Sequence, residues 1–465
     1  MKYGSFIILL FISFFAKSNI RLPDIINDNM VLQQQSEVKL WGWGEPNEKV
    51  TVTTSWNNKT YAPVTVNGNA EWELKIKTPA AGGPYQIDFS GNNKILLSNV
   101  MIGEVWVCSG QSNMEMCGNW GLQDIKQEMP VANNPNIRFF KIAKATASTP
   151  QKNCTGKWQF CDSNTLKEFS AVAYFFGKNL QQKLNVPIGL IEAAWGGTSA
   201  EVWTPDSIIQ HDAFLQEAST KIAANGQCPN LPGYAFNAMI APMTDFSVAG
   251  TIWYQGENNT INAYVYKRLF TSMIDAWRSA WHNNMPFYFV QIAPYSYALK
   301  NTGALLREAQ SESSNYPNVG MVVINDLVTD VHNVHPPDKH DVGFRLANWA
   351  LAEHYNIPGV VYKSPVIKNF HISRNKIIIA VDNAPNGLKC KGEKATELFV
   401  AGADSIFYPA EAVVKKNIVE IWSKHVSNPV AARYCFSDTA IGNIFSAGGL
   451  PLEPFRTDNW RVKIE

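Results

Sequence analysis

Apolar and polar residues alternate with period two along the first part of the chain. Val38-Lys-Leu-Trp-Gly-Trp43, Val50-Thr-Val-Thr-Thr54, Trp72-Glu-Leu-Lys-Ile-Lys77 and Tyr85-Gln-Ile-Asp-Phe89 carry the pattern, with Pro46-Asn47, Asn67-Gly68 and Gly82-Gly83 between them. Alternation broken by turn formers predicts a small antiparallel β-domain over residues 19–100. The pattern then changes. Short apolar runs appear at Val105–Cys108, Ile188–Ala194, Gly250–Tyr254, Phe287–Ile292 and Gly320–Ile324. Between them, Val265, Leu269, Met273, Trp277 and Trp281 recur every fourth residue, and Ala171–Leu184 and Val342–Tyr355 are also helical in pattern. Apolar strands alternating with amphipathic helices predict an α/β domain over 101–357, its parallel sheet covered on both faces. From residue 358 the β pattern returns in Lys376–Val381, Glu397–Ala401 and Asn417–Trp422, predicting a C-terminal β-region over 358–465.

The N-terminus differs from all three regions. Lys2, an apolar run from Phe6 to Ala16 and the small-x-small triplet Ala16-Lys17-Ser18 predict a signal peptide over 1–18. The run is too short to anchor stably in a bilayer. The expectation is therefore an exported protein, periplasmic or secreted, with no membrane anchor. A formal net charge of +1 argues against nucleic acid or an anionic membrane as partner. The 15 Trp, 16 Tyr and 24 Phe fit either stacking on sugar rings or large aromatic cores. The 7 cysteines include no Cys-x-x-Cys and no Cys/His cluster, so no metal is expected. In an exported chain Cys154 could pair with Cys161, or Cys390 with Cys435, while Cys108 inside an apolar run reads as a buried thiol.

Four motifs carry chemistry. The run Val105–Cys108 stops at Ser109-Gly110-Gln111-Ser112-Asn113, a glycine turn presenting a serine at a strand end. Such a serine needs a base in contact and donors for the oxyanion it creates. Trp195-Gly196-Gly197-Thr198 follows the second apolar strand and offers bare backbone N–H groups. Trp253-Tyr254-Gln255-Gly256-Glu257-Asn258-Asn259 follows the third and offers side-chain amides. Asp330-Val331-His332-Asn333-Val334-His335-Pro336-Pro337 precedes the last helix and supplies a base. All four fall on one edge of an open α/β sheet, where ligands bind.

The chain resembles the sialate O-acetylesterase family. The resemblance lies in Gly103-Glu-Val-Trp-Val-Cys-Ser-Gly-Gln-Ser-Asn-Met114, Trp195–Thr198, Trp253–Glu257, His335-Pro336 and Gly449-Leu-Pro-Leu-Glu-Pro-Phe-Arg456. It extends from Leu22-Pro23 and Asn29–Gln33 to Phe455–Asp458. The family belongs to the SGNH hydrolases, so the resemblance implies a flavodoxin-like parallel sheet flanked by antiparallel β-regions, and a serine esterase without cofactor. It implies Ser112 as nucleophile and His335 as general base. It also implies an oxyanion hole from the N–H groups of Ser112 and of Gly196 or Gly197, with the Gln255 amide, or else Asn259. One departure is clear: the aspartate usual three residues before the base is replaced by His332. Asp330 is one substitute and Asp326 another. The alternative is a Ser–His dyad whose imidazole is held by a backbone carbonyl. His332 and His340 read as surface or supporting residues.

The implied substrate is an O-acetylated sugar, first a 9-O-acetylated sialic acid and alternatively an acetylated plant polysaccharide such as xylan. A carbohydrate-binding protein without turnover is the reading from another class. Arg307 is a candidate partner for a sialic acid carboxylate, although a helix-surface pair with Glu308 or Glu312 is its commoner fate. Glu201 and Trp203 are candidates for contacts to the sugar.

Overall fold

The computed structural model describes residues 19–464 apart from Asn225. The expected signal peptide, 1–18, lies outside the described residues. The central feature is one long strand, Lys94–Gly110. Its first part pairs antiparallel with Gly82–Ser90, and Met101–Gly103 run parallel to Val31–Gln33. Its last part, Glu104–Gly110, lies between the parallel strands Ile188–Ala194 and Gly250–Tyr254. The boundary expected at 100/101 therefore falls inside a continuous strand.

Across the α/β sheet the core strands run Ile188–Ala194, Lys94–Gly110, Gly250–Tyr254, Phe287–Val290 and Val319–Val322. In chain order that is 2-1-3-4-5, the flavodoxin-like arrangement. Beyond the strand Ile188–Ala194, Asn134–Lys141 adds in parallel and Trp158–Cys161 adds antiparallel at the edge.

Side chains leave the sheet alternately. Val105 and Val107 join Trp253, Phe287 and Phe289 in a core with the helix Ala263–Ala280 and the N-terminal β-layer. Trp106 and Cys108 join Ile252, Tyr254 and Tyr288 in a second core with the helices Ala171–Leu184 and Lys339–Trp349. The last of these widens into a π turn over Ala350–His354, where an α-helix to Tyr355 is expected from the sequence. The C-terminal region is a β-sandwich. Two four-stranded antiparallel sheets, built on Lys376–Asp382 and Leu398–Ala401, enclose Ile377, Ile379, Val400, Val419 and Tyr434.

Neither of the two possible disulfides is formed: Cys154, Cys161, Cys390 and Cys435 are all thiols. Cys108 is a buried thiol as expected, and burial holds its pKa well above the ordinary thiol value. Among the described residues no helix is long and apolar enough to cross a membrane.

Candidate active site

Three strand ends are laced together at Gly110. Ala194 and Tyr254 both stand opposite it in register. Trp195 N donates to Gly110 O at 3.1 Å, and Gln111 N donates to Tyr254 O at 3.0 Å. Gly110 has φ of 139°, and a Cβ there would lie 2.2 Å from Tyr254 O, so only glycine makes this turn. The turn delivers Ser112 to the start of the short helix Ser112–Glu115. This is the topological switch point of the sheet, where the first strand separates the second from the third.

His335 reaches Ser112 from the loop before the helix Lys339–Trp349. Its Nε2 lies 2.8 Å from Ser112 Oγ. Burial, and then the nearby positive charge of Lys339, lower the imidazole pKa below the ordinary 6.5. The ring is therefore neutral at pH 7 and able to accept the serine proton. The loop is fixed by short turns, with His335 N donating to Asn333 Oδ1 at 3.0 Å and His332 N to Asp330 Oδ1 at 2.8 Å. Trp120 stands edge-on to the imidazole with ring centroids 5.5 Å apart. Its indole is 47 % exposed, unlike the fully buried tryptophans of the sheet, so it forms part of the site's rim.

Fewer of the expected oxyanion donors are free than the sequence suggests. Ser112 N–H and Gly197 N–H have no acceptor among the described residues. Gly196 lies against Ser112, since a Cβ on it would meet Ser112 Cβ at 3.3 Å, but its own N–H donates to Glu115 Oε2 at 2.6 Å. Gly197 is the glycine left to donate. The Gln255 amide is not available. Both of its hydrogens are engaged, with Thr198 O at 3.2 Å and Asn259 Oδ1 at 2.7 Å, while its oxygen accepts from Tyr266 at 3.0 Å. Asn259 is no substitute, because its amide donates to Glu201 Oε2 at 2.8 Å and Asn262 Oδ1 at 3.2 Å. Both residues are fully buried. They brace the turn behind the serine.

The other corrections have the same physical cause. Asp330 is exposed and caps His332 N rather than the imidazole. Asp326 forms a two-pronged pair with Arg345 at 2.8 and 2.7 Å. Among the described residues no carboxylate lies within 4 Å of a His335 ring nitrogen, whereas the exposed His340 pairs with Asp341 at 2.8 Å. Trp203 is fully buried and donates to Thr198 Oγ1 at 2.9 Å, so it contacts no sugar. Glu201, also buried, accepts from Asn259 and Asn262. Arg307 is buried and donates to the carbonyls of Ser437 and Asp438, joining its helix to the C-terminal region.

Four further residues surround the Ser112–His335 contact without having been expected there: Asn113, Glu115, Trp120 and Lys339. Glu115 pairs with Lys144 and holds the Gly196 loop. Asn113 and Glu115 follow closely on Ser112, so their position beside the serine motif is the signal that marks them. Nothing in the sequence marks Lys339, because a lysine in the first turn of a helix ordinarily faces solvent. Among the described residues no group of three or more His, Cys, Asp or Glu side chains is placed to hold a metal ion.

Residues 102–352 match the family described as carbohydrate esterase, sialic acid-specific acetylesterase. The chain is 28% identical to a sialate O-acetylesterase of Rattus norvegicus, with 77% of this chain and 78% of that protein covered. It is 27% identical to one of Homo sapiens, covering 77% and 75%. It is similar to the crystal structure of a carbohydrate acetylesterase from Xanthomonas citri, with a TM-score of 0.87 and 33% identity over 95% of this chain and all of that one.

Proposed function

The chain belongs to the sialic acid-specific acetylesterase family of carbohydrate esterases, and from that premise we propose that Ser112 and His335 act as a catalytic dyad that removes acetyl groups from O-acetylated sialic acids. The observation that carries this is the 2.8 Å contact between Ser112 Oγ and His335 Nε2 at the sheet's switch point. Family membership makes the chain a carboxylic ester hydrolase acting on acetylated sugar, which sets aside a binding protein without turnover.

In the reaction Ser112 Oγ attacks the acetyl carbonyl carbon as His335 Nε2 takes its proton. The N–H groups of Ser112 and Gly197 hold the oxyanion of the tetrahedral intermediate. Its collapse breaks the bond to the sugar oxygen, which takes the proton back from His335. Water then attacks the acetyl-serine with His335 again as base, releasing acetate and restoring Ser112.

One observation favours a second reading, a neutral acetylated polysaccharide as substrate. Arg307, the candidate partner for a sialic acid carboxylate, is buried and engaged with Ser437 and Asp438. An exposed Trp120 beside His335 suits a neutral sugar face equally well. Acetate release from 9-O-acetylated sialic acid and from acetylated xylan, measured side by side with wild type and Ser112→Ala, separates the two. Faster release from the sialic acid, lost in the variant, supports the first reading. Faster release from xylan, equally lost, replaces the substrate and keeps the mechanism. Release that survives in Ser112→Ala overturns the dyad.

A further inference from the structure

Ser112 and His335 stand 223 residues apart in the chain, yet their contact must be held to a fraction of an ångström. The carboxylate that usually braces the imidazole is missing. The segments carrying the two residues are joined instead through Asn113, which is fully buried. Asn113 Nδ2 donates to Val334 O at 3.0 Å, in the peptide unit that leads into His335, and to Glu257 Oε1 at 2.6 Å. Asn113 Oδ1 accepts from Lys339 Nζ at 2.7 Å. Lys339 is fully buried too, and its ammonium lies 5.4 Å from the centre of the Tyr254 ring.

A primary amide can turn end for end, but an ammonium group only donates. Lys339 therefore fixes the oxygen end of Asn113 and aims its NH2 at Val334 O. Glu257 completes the set while its other oxygen, Oε2, stays buried without a partner. Buried charge and an orphaned acceptor weaken a fold when apolar residues could fill the same space. Stability alone does not account for this cluster.

We propose that Lys339 and Asn113 are a positioning pair that substitutes for the missing triad carboxylate, locking the His335 loop onto the nucleophile's helix. This rests on the Ser112–His335 assignment above. The pair acts on the histidine by charge as well as by geometry. The groups facing Lys339 are Glu257 after the third core strand, Asp124 from the helix Gln123–Glu128, Asp338 preceding it, and the Tyr254 ring. Burial nonetheless pushes the Lys339 pKa down to about 7, and its positive form lowers that of His335.

The test compares wild type, Lys339→Met, Asn113→Asp and Ser112→Ala in the full-length enzyme. Near-UV circular dichroism and thermal unfolding establish that each is folded. Lys339→Met removes the donor and the charge. Asn113→Asp keeps the size but loses the donation to Val334 O and adds negative charge. In both, kcat falls about 30- to 100-fold while KM stays within about 3-fold, the scale expected of a misplaced base. In both, the acid limb of the kcat/KM profile moves to higher pH, because a less positive surrounding lets His335 take its proton sooner. A merely structural role lowers the melting temperature and leaves that limb in place. Should Lys339→Met fail to fold, the isosteric Asn113→Asp decides. A folded variant with wild-type kcat, or with reduced kcat and an unmoved acid limb, overturns the proposal. If Ser112→Ala is inert and the other variants behave as wild type, the pair alone is refuted. If Ser112→Ala remains active, the dyad itself fails.

Discussion

Single side chains at this site differ chiefly in whether their polar atoms are free. Ser112, His335 and the Gly197 N–H retain unused bonding capacity, whereas Gln255, Asn259, Glu201, Trp203 and Arg307 are buried and bonded within the protein. Trp120 is the exposed aromatic nearest the base. Trp120→Ala should lower kcat/KM for an acetylated sugar about 10-fold, roughly the value of one aromatic platform, and leave hydrolysis of a small aryl acetate unchanged. Parallel assays on the two substrates check this. The lowered His335 pKa gives a second expectation. The base must be neutral, so kcat/KM should persist as pH falls through 6.5 and drop only below it, as a pH–rate profile would show. That Ser112 and His335 meet was legible in the sequence as four motifs converging on one sheet edge, with the family resemblance naming the pair, and the 2.8 Å contact brings them together. Burial was not legible. Gln255, Asn259 and Glu201 are as polar as substrate ligands but interlock behind the turn, and Lys339 reads as a solvated first-turn lysine yet lies inside.

Individual elements place the chemistry through one backbone crossing. The strand Lys94–Gly110 ends where Gly110 passes against Tyr254, and the hydrogen bonds from Gln111 and Trp195 close the junction. Gly110→Ala should cost about 2–4 kcal/mol, from left-handed strain together with overpacking against Tyr254, and should displace Ser112 as well. Denaturant unfolding and a kcat measurement test both parts. The five core strands were visible as apolar runs because each is buried on both faces. Asn134–Lys141 was not, because its sequence opens on Asn134 and Pro135 and contains Arg138. That arginine is buried in the sheet with its guanidinium 4.1 Å from the Phe160 ring centre, a tertiary pairing that no local pattern announces.

In the whole molecule, the change from alternating to apolar to alternating texture marks the β, α/β and β regions in the sequence. It does not show how they join. The N-terminal layer shares a strand and a core with the catalytic sheet. The C-terminal sandwich docks on the helix Thr302–Ser313, whose first turn is capped by Asp438 from 134 residues away at Ala304 N. Arg307 and the two-pronged Arg456–Glu308 pair, at 2.6 and 2.8 Å, complete that junction. Arg307→Met should therefore destabilise the protein by about 2–4 kcal/mol, because it leaves buried carbonyls unpaired. It should also leave the ratio of activities on charged and neutral acetylated sugars unchanged. Thermal unfolding and that ratio distinguish this structural role from a substrate-binding one.

On the proposed mechanism a serine–histidine dyad, without a supporting carboxylate, performs the hydrolysis. The most direct measurement is acetate release from an acetylated sugar by wild type, Ser112→Ala, His335→Ala and Asp330→Asn under identical conditions. Losses of at least about 1,000-fold are expected for the first two variants, with activity within about 2-fold of wild type for Asp330→Asn, whose carboxylate caps only His332 N. A loss of activity in Asp330→Asn comparable to that in His335→Ala would rule out the dyad.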